Sequence, residues 1–173
     1  HRYGGSMARI FLSYDRDDAA RARSVATALE KAGHDVWWDR YLKGGSRFAA
    51  EIEKALAAAE VVVVLWSRES VQSDWVRDEA AKGRDTGRLV PARLDGTEPP
   101  LGFGQYQAID LSRFRGRSSN RQFQDLLDAI DASIGAQQDL LPKRKRRRSS
   151  LQAPPLWLIA GLVTSLVAAA AFV

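Results

Sequence analysis

The chain has no cysteine and only two histidines, His1 and His34. Without thiols there are no disulfides, no cysteine nucleophile, no zinc ribbon and no iron–sulfur cluster. Two histidines, one in the opening His1-Arg2-Tyr3-Gly4-Gly5-Ser6 stretch that reads as a tag remnant before a natural start at Met7, cannot build a multi-histidine metal site or a histidine triad. His34, beside Gly33 at a helix–strand junction, reads as structural. Enzymatic chemistry in this chain must therefore come from carboxylates, hydroxyls and backbone, and no metal is expected. An evenly spread positive charge is also missing. The net charge is +5, but Lys143 to Arg148 supply six of the 26 basic residues, and removing them leaves 20 basic against 21 acidic. A folded nucleic-acid-binding face needs basic residues on the domain itself, so no nucleic-acid partner is expected.

What is present alternates strand and helix. Ala8 to Tyr14 is a short apolar strand ending in polar residues. A helix follows from about Asp17 to Ala32, with Ala22, Val25, Ala26 and Leu29 on one face and Gly33 positioned to end it. Asp35 to Asp39 is a second strand, and residues 40–45 form a loop hinged at Gly44-Gly45. A second helix runs from Ser46, a suitable N-cap, to Ala59, with Phe48, Ile52, Ala55 and Leu56 inward. Val61 to Trp66 is apolar without alternation, the pattern of a central parallel strand covered on both faces. Ser67 to Ser73 is a polar loop, and a third helix runs from Asp74 to about Arg84. Arg88 to Leu94 is a fourth strand whose Pro91 points to an edge or a strand end. Residues 95–106, rich in glycine and proline, form a loop, and Ala108 to Leu111 is a weak last strand. Ser119 and Gln122 predict a capping box for a final helix with Phe123, Leu126, Leu127, Ile130 and Ile134 inward.

Five such alternations predict an α/β domain with a doubly wound, five-stranded parallel sheet of the flavodoxin-like kind. Ligands of such sheets bind outside the carboxyl ends of the strands. Those ends carry Ser13-Tyr14, Trp38-Asp39 and Trp66-Ser67. No GxGxxG follows the first strand, so a dinucleotide-cofactor grip of the Rossmann type is not expected.

From about residue 8 to 136 the chain resembles the TIR (Toll/interleukin-1 receptor) family, in particular its bacterial members. Ile10-Phe11-Leu12-Ser13-Tyr14 is similar to the family's first strand, and Val36-Trp37-Trp38-Asp39 to its second, which ends in an acidic residue. Residues 40–45 match the family's mobile loop, and Ala108 to Ser112 a late bacterial segment. Ser73 to Glu79 resembles the Trp-x-x-x-Glu helix of members that cleave NAD⁺. Two features of receptor-type members are absent here: the proline of the mobile loop and the late Phe-Trp box.

The resemblance implies Glu79 as the catalytic carboxylate and NAD⁺ as a substrate, with no resident cofactor. Trp75, four residues earlier, shares a helix face with Glu79 and would pack on a ring or the ribose. Taken alone, the pair reads sooner as a surface glutamate with Trp75 in the core, since surface glutamates are common. Ser13, Tyr14, Trp38 and Asp39 at the strand ends, and Leu42 and Lys43 in the loop, complete the implied substrate site. Arg16 is placed to meet the pyrophosphate, by resemblance to basic residues after the first strand in relatives. Core packing is the competing reading for Trp37 and Trp38, and solvation for Arg16 and Lys43.

Leu156 to Val173 carries no charge. At ~1.5 Å per residue these residues span ~27 Å, close to the ~30 Å of a bilayer's hydrocarbon core. With Trp157 at one end and six basic residues before it, the segment reads as a single transmembrane helix with a cytosolic N-terminal domain. The expected organisation is a TIR domain over 7–136, a basic linker over 137–155 and a span over 156–173. The expected function is a membrane-tethered NAD⁺ glycohydrolase, controlled by homotypic self-association, in signalling or defence. The alternatives are a non-catalytic TIR–TIR scaffold and a nucleoside deoxyribosyltransferase-like enzyme.

Overall fold

The structure is a computed structural model that describes residues 7–38 and 47–140. The loop at 40–45, the Ser46 cap, the basic tract and the apolar span lie outside the described residues. Among the described residues, no helix is long and apolar enough to cross a membrane.

In chain order the elements are β1 (Arg9–Ser13), α1 (Ala19–Lys31), β2 (Asp35–Trp37), α2 (Arg47–Ala58), β3 (Val61–Trp66), α3 (Asp74–Asp85), β4 (Leu89–Arg93), β5 (Ile109–Asp110) and α4 (Arg121–Leu140). All strand pairs are parallel, and the sheet order is β2-β1-β3-β4-β5. The chain leaves β1 toward one side of the sheet and β3 toward the other. The crevice between their carboxyl ends is therefore the topological switch point, where open α/β sheets take their ligands.

β3 anchors the sheet because every one of its six residues is buried. Its side chains alternate between two cores, as the two-residue period of a strand requires. Val61, Val63 and Leu65 join Ile10 and Leu12 under Val25 and Leu29 of α1 and Phe123, Leu126 and Ile130 of α4. Val62, Val64 and Trp66 join Phe11 under Ile52 and Leu56 of α2 and Val76 and Ala80 of α3. Each such side chain contributes ~1.5–3 kcal/mol relative to exposure, so a central strand apolar at every position is strongly held.

Local signals explain most of the element boundaries. Gly33 has φ +100°, the left-handed conformation that ends α1. The first turn expected of that helix is instead a 3-10 turn over Arg16–Asp18, opened by the Asp15 carboxylate accepting from the Asp17 N–H at 3.0 Å. Pro91 does not put β4 at an edge, because β4 lies between β3 and β5. Arg88 and Leu94 bond to β3, so alternation turns the Pro91 nitrogen toward β5. Pairing with β5 starts only at Ala92, and the missing N–H leaves no gap in the ladder. The capping box is also corrected. α4 starts one residue later than that box requires, with the Asn120 side chain accepting from the Phe123 N–H. Gln122 Oε1 accepts instead from the Arg113 N–H at 3.0 Å, tying the helix to the segment after β5. The helix continues through Leu140, into the stretch expected to be linker.

Candidate functional site

α3 brings a carboxylate to the switch point. Ser73 caps the helix by accepting from the Val76 N–H, and Asp74 in the first turn suits the positive end of the helix dipole. Asp74 is also ion-paired with Arg77. One turn on, Glu79 faces inward and is only 3% exposed. Its Oε2 accepts from Ser13 Oγ at 2.5 Å, at the end of β1. Its Oε1 accepts from Trp75 Nε1 at 2.5 Å, one helical turn back. Both oxygens are thus held from different elements, which fixes the plane of the carboxylate. Trp75 is 47% exposed. Hence the pair is the reverse of a surface glutamate over a core tryptophan. The glutamate is inside, the indole forms the rim, and it meets the carboxylate through its N–H edge instead of its ring face.

The other residues expected at the site fall into separate places. Tyr14 is buried, and its hydroxyl donates to the Trp38 carbonyl at 2.9 Å, joining the ends of β1 and β2. The half-buried Trp38 indole turns toward α1, where its Nε1 donates to Glu30 at 3.3 Å and the Arg23 guanidinium lies 5.8 Å from its ring centre. Trp37 stacks on Phe11 at 4.9 Å and belongs to the core. Arg16 is exposed in the 3-10 turn. Asp39, Leu42 and Lys43 lie outside the described residues. His34 is half-buried, and burial holds its pKa below the ordinary 6.5 against the pull of Asp131.

A second polar group escapes sequence reading, apart from the place of Ser67 at the end of β3. Asp18, also buried, accepts from Ser67 Oγ at 2.5 Å. The Ser67 N–H donates to Ser70 Oγ at 2.7 Å and the Ser70 N–H to Ser67 Oγ at 3.0 Å. Burial pushes the Asp18 carboxyl above its ordinary range, against the opposing effect of the Ser67 hydrogen bond. This group ties the turn after β1 to the turn after β3, so the two banks of the crevice are cross-linked by side chains.

Ser13 has no exposed surface and spends its hydroxyl on Glu79. It therefore acts as a positioning residue for that carboxylate. Ser13→Ala removes one donor from a buried carboxylate, which costs ~1–3 kcal/mol. Thermal denaturation should show that loss, and any activity dependent on Glu79 should fall chiefly in kcat, about tenfold for each ~1.4 kcal/mol of lost positioning. A variant as stable and as active as the parent would remove Ser13 from this role.

Comparison with known proteins agrees with this architecture. The family model for the TIR domain matches residues 10–127. Among curated protein sequences none matches. Solved structures similar to the chain include a metazoan TIR-STING receptor from C. gigas in complex with 2',3'-cGAMP, at 22% identity and a TM-score of 0.57, covering 76% of this chain and 40% of that one. A second structure of a metazoan TIR-STING receptor from C. gigas gives 22% identity and a TM-score of 0.56, covering 75% of this chain and 41% of that one. The chain thus spans about two fifths of those proteins, and at this identity the likeness is one of fold. With the family model matching well over half of its residues, the chain belongs to the TIR domain family.

Proposed function

We propose that this TIR domain hydrolyses the nicotinamide–ribose bond of NAD⁺, with Glu79 as the catalytic carboxylate. The observation that carries the reading is a carboxylate at the switch point, gripped through both oxygens and rimmed by a half-exposed indole. Glycoside hydrolysis ordinarily needs an acid for the leaving oxygen as well as a second carboxylate. Nicotinamide in NAD⁺ is already cationic. It departs neutral with the bonding pair, water supplies hydroxide to the ribose C1′, and one proton is released. What the protein must supply is negative charge beside an oxocarbenium-like ribose, and one preorganised carboxylate meets that need. The Trp75 indole offers a flat apolar surface next to it.

The test is incubation with NAD⁺, and separately with a deoxynucleoside, followed by detection of free base. Nicotinamide release supports the reading. Base release from the deoxynucleoside alone would favour a deoxyribosyltransferase-like enzyme. Release from neither, over a wide range of protein concentration, leaves a TIR–TIR scaffold. Self-association as the control is part of the proposal; it rests on the resemblance of residues 40–45, with their Gly44-Gly45 pair, to the family's mobile loop. Specific activity should then rise with domain concentration.

Membrane tethering with a cytosolic domain, in a signalling or defence role, completes the proposal. It rests on the uncharged run from Leu156 and the six basic residues before it. Protease applied to intact cells should leave the domain uncut. Cleavage from outside, or release from membranes by high salt, would reject the anchored arrangement; salt release would indicate a peripheral contact through Lys143 to Arg148.

A further inference from the structure

A cavity elsewhere in the domain is lined by none of the residues that hold Glu79. It lies between the first turns of α1 and the segment after β5, and measures about 470 Å³. That is within the ~300–1,000 Å³ usual for small-molecule sites. Leu111 and Phe114 give it an apolar wall, continuous with the core under α1 and α4. Two guanidinium groups, Arg21 and Arg115, and two hydroxyls, Ser24 and Ser112, supply its polar groups. No carboxylate is among the described residues that line it.

The charge balance decides what such a cavity accepts. Arg115 donates to the Ser112 carbonyl at 3.0 Å and the Phe114 carbonyl at 2.9 Å. Arg21 donates to the Leu111 carbonyl at 3.4 Å. Carbonyls carry no net charge, so these bonds orient the guanidiniums without neutralising them. Asp18 and Asp95 attract Arg21 from outside the cavity. Among the described residues, Arg115 forms no ion pair. The surrounding sequence adds to the excess: between Asp110, which attracts Arg113, and Asp125 lie Arg113, Arg115, Arg117 and Arg121 and no acidic residue. In a chain whose charges nearly balance once Lys143 to Arg148 are set aside, this is a local cationic site.

A metal cation has no ligands here. Inorganic phosphate would satisfy the arginines but leave the apolar wall unused. A phosphate monoester attached to a flat ring uses both, since the planar guanidinium matches phosphate geometry and the ring can lie along the apolar wall that Phe114, itself stacked on Phe123, borders. We propose that this cavity binds a small phosphorylated molecule of mononucleotide size, at a site distinct from Glu79. The two lie on opposite faces of the sheet: the cavity joins the core under α1 and α4, whereas α3 packs with α2 on the other.

The probe is AMP, titrated calorimetrically into the full chain carrying Glu79→Gln, with adenosine and inorganic phosphate as controls. AMP should bind saturably and at least about tenfold more tightly than either control. Arg115→Gln and Arg21→Gln should each weaken it about tenfold or more, the effect expected of losing one charge-assisted phosphate contact. Arg115 is exposed, so its replacement leaves the fold intact, and an unchanged melting temperature checks this. Trp75→Ala, at the rim of the other site, should leave AMP affinity unchanged. Three results would overturn the proposal: no saturable binding, AMP no tighter than phosphate, or binding lost in Trp75→Ala and kept in Arg115→Gln. The last would place AMP beside Glu79.

Discussion

Glu79→Gln is expected to lower nicotinamide release from NAD⁺ by ~10²–10³-fold, the loss seen when one preorganised electrostatic contact to a transition state is removed. The same variant is expected to melt close to the parent. The geometry explains why both hold. Trp75 Nε1 can only donate, so a glutamine must turn its carbonyl oxygen to that side. Its NH₂ then faces Ser13 Oγ, and a serine hydroxyl accepts as readily as it donates. The hydrogen bonds survive with one reversed, the volume is unchanged, and only the charge is gone. Alanine at the same position would be a poorer test, because it leaves the Trp75 and Ser13 donors without their acceptor and mixes stability with chemistry. Measured turnover of the glutamine variant equal to the parent's, in a protein that folds normally, would end the assignment of Glu79.

The features legible in the sequence are those written into local pattern. β3 has no polar residue, and only a strand covered on both faces can be built that way. Gly33 sits where a helix must turn left-handed. Features that depend on a partner distant in the chain were not legible. Pro91 looked like an edge residue because the place where β5 begins is set some twenty residues later. Ser119 and Gln122 had the right spacing for a cap, but Arg113 competed for the glutamine. Asp18 has no signal of its own in the sequence, because the fold brings Ser67 to it across 49 positions. The site divides in the same way. Trp75 and Glu79 are near neighbours on one helix, so their pairing followed from spacing. Which of them points inward depended on Ser13, 66 residues from Glu79.

Gly83 was another residue without a sequence signal, and its replacement carries the second large effect. Within a helix a glycine is a weak point, ~1 kcal/mol worse than alanine. Here it is buried where α3 crosses β3, and a Cβ at this position would lie 3.0 Å from Val62 Cβ and 3.2 Å from its Cγ1. Val62 is a β-branched residue on the central strand, fully buried, and it has no room to retreat. The absent side chain is what lets α3 approach the sheet closely. Gly83 lies four residues after Glu79, on the same face of α3 and one turn further along. The depth at which Glu79 reaches Ser13 is therefore set in part by this contact. Gly83→Val should destabilise the domain by ~1–3 kcal/mol through overpacking. It should also lift α3, lengthen the Ser13–Glu79 hydrogen bond and lower kcat in the protein that remains folded. Gly83→Ala makes the same collision with fewer atoms and regains helix propensity, so it should fall between the parent and the valine variant. Denaturant titration of the three proteins, with turnover corrected for the folded fraction, checks this. If valine is accepted with neither stability nor turnover reduced, the close approach of α3 to Val62 does not position the carboxylate.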